Sequence, residues 1–386
     1  MSKKLIYVTS RFPFPLTKGD KLRAYYQIRD LSRNFDIYLF CTSDEDVPEE
    51  ALDELKKFCR DIHIFRLKKW KIYIALLLNI FSSKPFQVAY FFQKSIHRKI
   101  QLLLEEIRPD HIFSQLIRTS EYVKNYHNCP KTIDYMDALS KGMERRYDSG
   151  KQLYKFLFLS ESRRLKNYER TIFDYFEHQL IITNQDKNYI FHPDYKKIQV
   201  VPNGISASFF ETLSIPKTHD LVFVGNLGYA PNIQAAEYLY YKIHRAFPEL
   251  KIRVSGANPA KQILKLDENN FMVTGFVEDI RTVYSSGKLF VAPMFIGTGL
   301  QNKLLEAMAQ GIPCITTQLV NNALGAKANE EIIIADSEAE FRSSIQRLLS
   351  DDALYLQIRE NAKAFIRKNY SWESINRSLA ELIENH

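Results

Sequence analysis

A chain of 386 residues, 45% hydrophobic and 25% charged, reads as globular and is too long for a single small core. Its four cysteines, Cys41, Cys59, Cys129 and Cys314, show no Cys-x-x-Cys spacing, so neither a zinc site nor a disulfide framework is indicated and a reducing compartment fits. The positive charge lies in one half: residues 1–200 carry 35 Lys and Arg against 25 Asp and Glu, whereas residues 201–386 carry 18 against 20.

The opening MSKKLIYVTS runs straight into β-rich sequence without an apolar signal core, so a cytoplasmic location is expected. From there, short β-branched runs alternate with amphipathic helical stretches, the pattern of open parallel sheets. In the first half the strand candidates are 4–10, 36–43, 62–67, 111–116, 132–136, 179–184 and 198–203. The stretch from Gln152 to Phe176 is the longest helix candidate.

Residues 51–100 hold 11 basic and 3 acidic side chains around the run LKKWKIYIALLLNIFSSK. The run is too short to span a bilayer, which needs ~20 apolar residues. Two readings stay open: a core helix with a solvated Lys face, and a basic, Trp-bearing helix lying on an anionic membrane surface. A nucleic-acid partner is not expected, because no zinc-finger, helix-turn-helix or RNP signature accompanies the charge.

The strand and helix pattern restarts at 221–226 and continues through 251–256, 271–276, 288–293, 313–317 and 331–336, after Pro202-Asn203-Gly204 turns the chain. The expected organisation is α/β, with two doubly wound, Rossmann-like domains at 1–204 and 205–365 and a C-terminal helical segment, 366–386, with Ser371 as a cap.

The richest motif is FIGTGLQNKLLEAMAQGIPCITT, Phe295 to Thr317. Gly297, Thr298 and Gly299 let the backbone approach a ligand, and a helix starting near Leu300 points its first N–H groups at that turn, a place for an anion. Lys303 and Glu306, three residues apart, project from one side of that helix, a cation for phosphate beside a carboxylate for sugar hydroxyls. Other turns follow strands in the same half: Gly225-Asn226, Gly256, and Gly275-Phe276-Val277.

This ordered set resembles the nucleotide-sugar-binding signature of glycosyltransferase family 4, the retaining transferases of GT-B fold, and within it the exopolysaccharide-associated sugar transferases. Glu306 matches the second of that family's two Glu residues, which reads the donor ribose. Eight positions earlier, where the family has its first Glu, this chain has Thr298. The loop GNLGYAPN lacks the Arg and Lys that many members use for phosphate, leaving that charge to Lys303 and helix N-termini.

The resemblance implies two domains facing across a cleft, the last helix packing back on the first domain, and a donor site built by Gly225, Asn226, Gly256, Gly275, Phe276, Val277, Gly297, Thr298, Gly299 and Leu300. It further implies an acceptor-side loop at Gly19, Asp20 and Arg23, for which an ordinary strand-to-helix turn is the alternative. Asp134 and Asp137 are the acidic pair able to orient an acceptor hydroxyl or the donor sugar, with a structural cap as the alternative. Catalytic roles fall to Lys303, Glu306 and this pair. No DxD ends a strand, so neither a metal nor a cofactor beyond the donor substrate is expected.

The implied activity is a retaining transfer of sugar from a nucleotide-diphosphate sugar to a glycan or lipid-linked glycan in cell-surface polysaccharide synthesis, at the inner face of the plasma membrane. A nucleotide-sugar epimerase on the same fold and a degenerate nucleotide-sugar-binding subunit are the alternatives.

Overall fold

Runs of Val, Ile, Leu and Phe without polar alternation form strands buried on both faces, the signature of parallel sheets covered by helices. The computed structural model describes residues 2–16, 18–149, 155–211, 213–296 and 300–385. It divides the chain into two units, Met1–Asn203 with Ile375–His386, and Gly204–Ser374. The sequence expectation put these transitions at 205 and 366.

The first unit holds β1 (Lys3–Thr9), β2 (Phe35–Ser43), β3 (Cys59–Arg66), β4 (His111–Gln115), β5 (Lys131–Asp134), β6 (His178–Ile181) and β7 (Gln199–Val200). They form one sheet in the order β3-β2-β1-β4-β5-β6-β7, with every pairing parallel. Tyr7 pairs in register with Leu39 on one side and Phe113 on the other, and its ring stacks on Phe113 at 4.7 Å. The helix Gly19–Leu31 covers one face. The end of the last helix, Trp372–Glu384, joins the same core through Leu379, Ala380 and Ile383. Asn376 fixes it there by donating to the Tyr26 carbonyl at 3.0 Å and to Asp30 at 2.8 Å. Ser371 Oγ accepts from Ser374 N at 3.1 Å, so it caps this helix as its position suggested.

The second unit holds β8 (His219–Val224), β9 (Ile252–Ser255), β10 (Phe271–Thr274), β11 (Gly287–Ala292), β12 (Cys314–Thr316) and β13 (Ile333–Ile334), in the order β10-β9-β8-β11-β12-β13 and again parallel throughout. Among the described residues all thirteen strands coincide with runs expected from sequence, to within a few residues at each end. The long helix expected over 152–176 is described from Lys155 to Phe173; residues 150–154 lie outside the described set.

Each sheet has a point where strand order reverses, between β1 and β4 in the first unit and between β8 and β11 in the second. In open α/β sheets ligands collect outside the carboxyl ends of strands at such points, because the neighbouring connections leave in opposite directions and open a crevice.

Candidate functional site

In the second unit the reversal point is lined by the turns after β8 and β11. Gly225 follows β8, and a Cβ there would lie 2.7 Å from the Asn232 side chain. Gly256 follows β9 at φ +152°, where a Cβ would come within 1.6 Å of the Gly225 carbonyl oxygen. Two strand ends therefore approach closer than any side chain permits, and glycine at both positions is a packing requirement. Asn226 is exposed and closes its turn by accepting from Gly228 N at 3.0 Å. Asn232 is buried at the start of the next helix, Ala230–Tyr238, and donates to the Asn226 carbonyl at 2.9 Å.

Lys303 enters this cluster from the helix Asn302–Ala309, which begins two residues later than expected. Leu300 precedes it, half-buried against the core. Gly297, Thr298 and Gly299 lie outside the described residues. The Lys303 ammonium donates to Asn232 Oδ1, lies 3.6 Å from Met294 Sδ and sits 5.1 Å above the Phe223 ring. Burial among these groups pulls its pKa down to about 8, against the opposing pull of Glu306.

Glu306, one turn along, accepts a hydrogen bond from the Tyr284 hydroxyl at 2.7 Å. Burial pushes its carboxyl above the ordinary value, opposed by the Tyr284 hydrogen bond and by Lys303. A cation and a carboxylate, each shifted toward its neutral form by desolvation, share one corner of the sheet. Such pairs concentrate at binding and catalytic sites. Gly275 has open space around it, Phe276 is 79% exposed, and Val277 is half-buried against the core, so this turn presents apolar surface beside backbone groups.

In the first unit the acceptor-side roles expected for Arg23 and Asp134 meet buried side chains, and Asp134 takes the structural alternative. Arg23 is fully buried and does not reach the surface: its Nε bonds Asp134 at 2.6 Å, and Nη1 bonds the Pro202 carbonyl at 3.1 Å and Asn203 Oδ1 at 3.0 Å. Asp134 is equally buried and also accepts from Met136 N at 3.0 Å. The helix position of Arg23 points into the sheet, and the guanidinium is compatible with burial because the carboxylate at the end of β5 neutralises it. Among the two acidic candidates, Asp137 alone is exposed. Gly19 has open space around its Cα, and Asp20 pairs with Arg11 at 2.6 Å.

Arg11 follows β1 and Arg118 follows β4, so they flank the reversal point of the first sheet. With Lys18, Asp44, Gln87 and Tyr90 they line a cavity of ≈ 350 Å³. Arg118 donates to Gln87 at 2.9 Å, and burial, then the nearby Arg11, hold it below its ordinary pKa. Sequence reading named neither arginine as a site residue. Their signal was positional: each lies two or three residues past a strand that borders the reversal point. Asn232 and Tyr284 were also missed, because each acts through a partner distant in sequence. Among the described residues no group of three His, Cys, Asp or Glu side chains is arranged to hold a metal ion.

Comparison with known proteins follows the same division. Residues 218–351 match the family described as glycosyl transferases group 1. An uncharacterized 44.6 kDa protein from the cps region of Klebsiella pneumoniae is 24% identical, the match covering 97% of this chain and 98% of that protein. A glycosyltransferase from Rickettsia africae superposes with a TM-score of 0.65 at 13% identity, covering 100% of this chain and 98% of the other. Anabaena Alr3699/HepE, solved in complex with UDP, superposes with a TM-score of 0.63 at 15% identity over 100% of both chains, and has also been solved with UDP-glucose. Two parallel-sheet α/β units with these structural neighbours constitute a GT-B fold, and the residues that match the group 1 family lie within the second unit.

Proposed function

We propose that the protein is a retaining glycosyltransferase of family 4 type, which takes a sugar from a nucleotide-diphosphate sugar held at the strand ends of the second unit and delivers it to a glycan or lipid-linked glycan during cell-surface polysaccharide synthesis. The observation that carries this reading is the convergence of Gly225, Asn232 and Lys303 at the reversal point of the second sheet. Glycine admits a diphosphate to the backbone, and Lys303 supplies the cation. The UDP and UDP-glucose complexes of the Anabaena neighbour support a nucleotide sugar as the donor class.

In this reading Lys303 stabilises the charge that builds on the departing diphosphate, where desolvation strengthens its effect. Glu306, oriented by Tyr284, accepts from the ribose hydroxyls and fixes the donor. Gly256, Gly275, Phe276 and Val277 edge the base, and Asn226 and Leu300 close on the phosphates and sugar. Retention follows if the leaving phosphate takes the acceptor proton on the same face of the sugar, through an oxocarbenium-like state resembling that of glycoside hydrolysis. The chain's main contribution is then orientation. The acceptor occupies the cavity of the first unit, where Arg11 and Arg118 suit an anionic group and Asp20 and Asp137 lie on neighbouring turns.

The test is transfer of labelled sugar from a panel of nucleotide sugars to membrane lipid extracts, with the anomeric configuration of the product determined. Transfer with retention, lost in Glu306→Ala, is the expected result. One observation favours a second reading, a binding subunit without turnover: Thr298 stands where the family has a Glu, and GNLGYAPN lacks a phosphate-binding Arg or Lys. Donor binding with no product from any acceptor would support it.

A further inference from the structure

The helix Lys69–Asn79 is amphipathic in reverse. Its inward side consists of buried Ile72 and Asn79 with half-buried Leu76. Its outward side carries Trp70, Tyr73, Ile74, Leu77 and Leu78, at the i, i+3, i+4, i+7, i+8 spacing that ordinarily marks a core face, and these are 59%, 71%, 48%, 64% and 66% exposed. Ile80 and Phe81 extend the stripe past the helix end, Phe81 at 91% exposure.

This surface is held in place from beneath. Arg164 donates to the carbonyls of Asn79 at 2.8 Å and Ile80 at 3.1 Å, and Asn79 Nδ2 donates to the Lys84 carbonyl at 2.7 Å. The helix is therefore a fixed element with a contiguous apolar face and no cover among the described residues of its own unit. Patches of this kind on a folded protein mark interaction surfaces.

Charge decides what covers it. From Ile62 to Leu104 the sequence has eight Lys and Arg and no Asp or Glu. Lys68 and Lys69 are exposed at the helix start, and Lys71 lies 5.4 Å over the Trp70 ring while donating to Ser95 at 3.2 Å. Lys94, Arg98 and Lys99 are exposed on a later helix, Lys94–Ile107, whereas Lys84 is neutralised by Glu121 at 2.6 Å. A second copy docked face to face would set these cations against their own kind. An anionic surface with an apolar interior complements both properties.

We infer that the helix Lys69–Asn79 with Ile80 and Phe81 is a membrane-docking element, which inserts its aromatic and aliphatic stripe into the headgroup boundary of an anionic bilayer while the flanking Lys and Arg engage lipid phosphates. Eleven residues at about 1.5 Å each reach roughly half of a ~30 Å hydrocarbon core, so the helix lies in the interface plane. Trp and Tyr suit that depth, with an apolar ring and one polar atom each. Lysine stems run along the apolar surface and keep their ammonium groups at the phosphates. Vesicle binding is read without any sugar donor, so the inference stands or falls independently of the proposed activity.

The test is flotation of the full-length protein with vesicles of phosphatidylcholine and phosphatidylglycerol in equal parts, and of phosphatidylcholine alone. Trp70 provides a direct readout: of the two tryptophans, Trp372 is 2% exposed, so a blue shift on adding vesicles that disappears in Trp70→Phe reports insertion of this helix. The expected result is binding to the anionic vesicles, at least ~tenfold weaker in Leu77→Glu/Leu78→Glu and reduced by salt and by Lys68→Glu/Lys69→Glu. The altered side chains are exposed, so an unchanged thermal midpoint verifies the fold of each variant. Absence of vesicle binding by the unaltered protein, or equal binding by Leu77→Glu/Leu78→Glu, overturns the inference. So does a stable dimer in solution that this double variant splits, which would assign the face to a second copy.

Discussion

Lys303 donates its ammonium proton to Oδ1 of Asn232, and Asn232 in turn donates to the Asn226 carbonyl 2.9 Å away. One amide thus ties the candidate phosphate-binding cation to the turn that a diphosphate would touch. Asn232→Ala should release Lys303 without removing its charge, weakening nucleotide-diphosphate binding by about tenfold, the cost of ~1.4 kcal/mol from one lost hydrogen bond to a charged group. Calorimetric titration with a nucleoside diphosphate measures this. An unchanged affinity would mean that the pair does not serve the ligand.

Gly225→Ala tests the same geometry from the backbone side. The new methyl would sit 2.7 Å from Asn232 Cγ, against a side chain that is itself buried. Overpacking of this kind costs about 1–3 kcal/mol. The variant should lose both thermal stability and nucleotide affinity, whereas Gly275→Ala, with open space around it, should leave stability unchanged.

The pH dependence follows from Lys303, whose pKa is pulled from 10.5 to about 8 by burial. Diphosphate binding uses the protonated form, so affinity should be flat below pH about 8 and fall above it, until the pKa of the bound state is reached. For folding the sign is opposite. Between about 8 and 10.5 the unfolded chain binds more protons than the native one, so this residue's contribution to stability rises with pH across that window. Lys303→Met should abolish the fall in affinity and lessen the rise in stability, part of which belongs to Lys217, whose pKa burial also pulls down to about 8, as read from titrations and urea melts over the alkaline range.

Tyr284→Phe deletes the hydroxyl that donates to Glu306 at 2.7 Å. Its loss should raise the Glu306 pKa further and leave the carboxylate less well oriented. The expected effect is about a tenfold rise in donor KM, from ~1–2 kcal/mol of lost hydrogen bonding, with a smaller change in kcat. A fall in kcat at constant KM would instead place Tyr284 in the chemical step.

The acidic pair separates by burial. Asp134→Asn leaves the Arg23 guanidinium, fully buried, without its counter-ion, and should cost about 3–5 kcal/mol of stability in urea unfolding. Asp137→Asn, at an exposed position, should stay within ~0.5 kcal/mol of the parent. A loss of transfer in Asp137→Asn at unchanged stability would mark it as the acceptor-side carboxylate.

The contrast between Asp134 and Lys303 also marks what could be read from the residues alone. Strands such as LVFVGN and KLFVAP are recognisable because parallel strands buried on both faces are written as uninterrupted apolar runs. Lys303 and Glu306 stand out because a helix of known period follows a turn of small residues, all within one short segment. Pairings across the sheet leave no such local trace. Arg23 and Asp134 lie 111 positions apart, and Tyr284 and Glu306 lie 22 apart, so burial of a guanidinium and orientation of a carboxylate depend on strand order. The stripe at Trp70, Tyr73, Ile74, Leu77 and Leu78 shows the converse: its spacing is that of a core face, and only the fold reveals that it points to solvent.

The central claim, a nucleotide-diphosphate sugar bound at the strand ends of the second unit, is tested most directly by thermal shift of the purified protein against UDP-, GDP-, CMP- and dTDP-sugars, since specific binding raises stability by mass action. The account predicts a rise with one nucleotide class, lost in both Lys303→Ala and Glu306→Ala. No rise with any of them, or a rise that survives both substitutions, would contradict it.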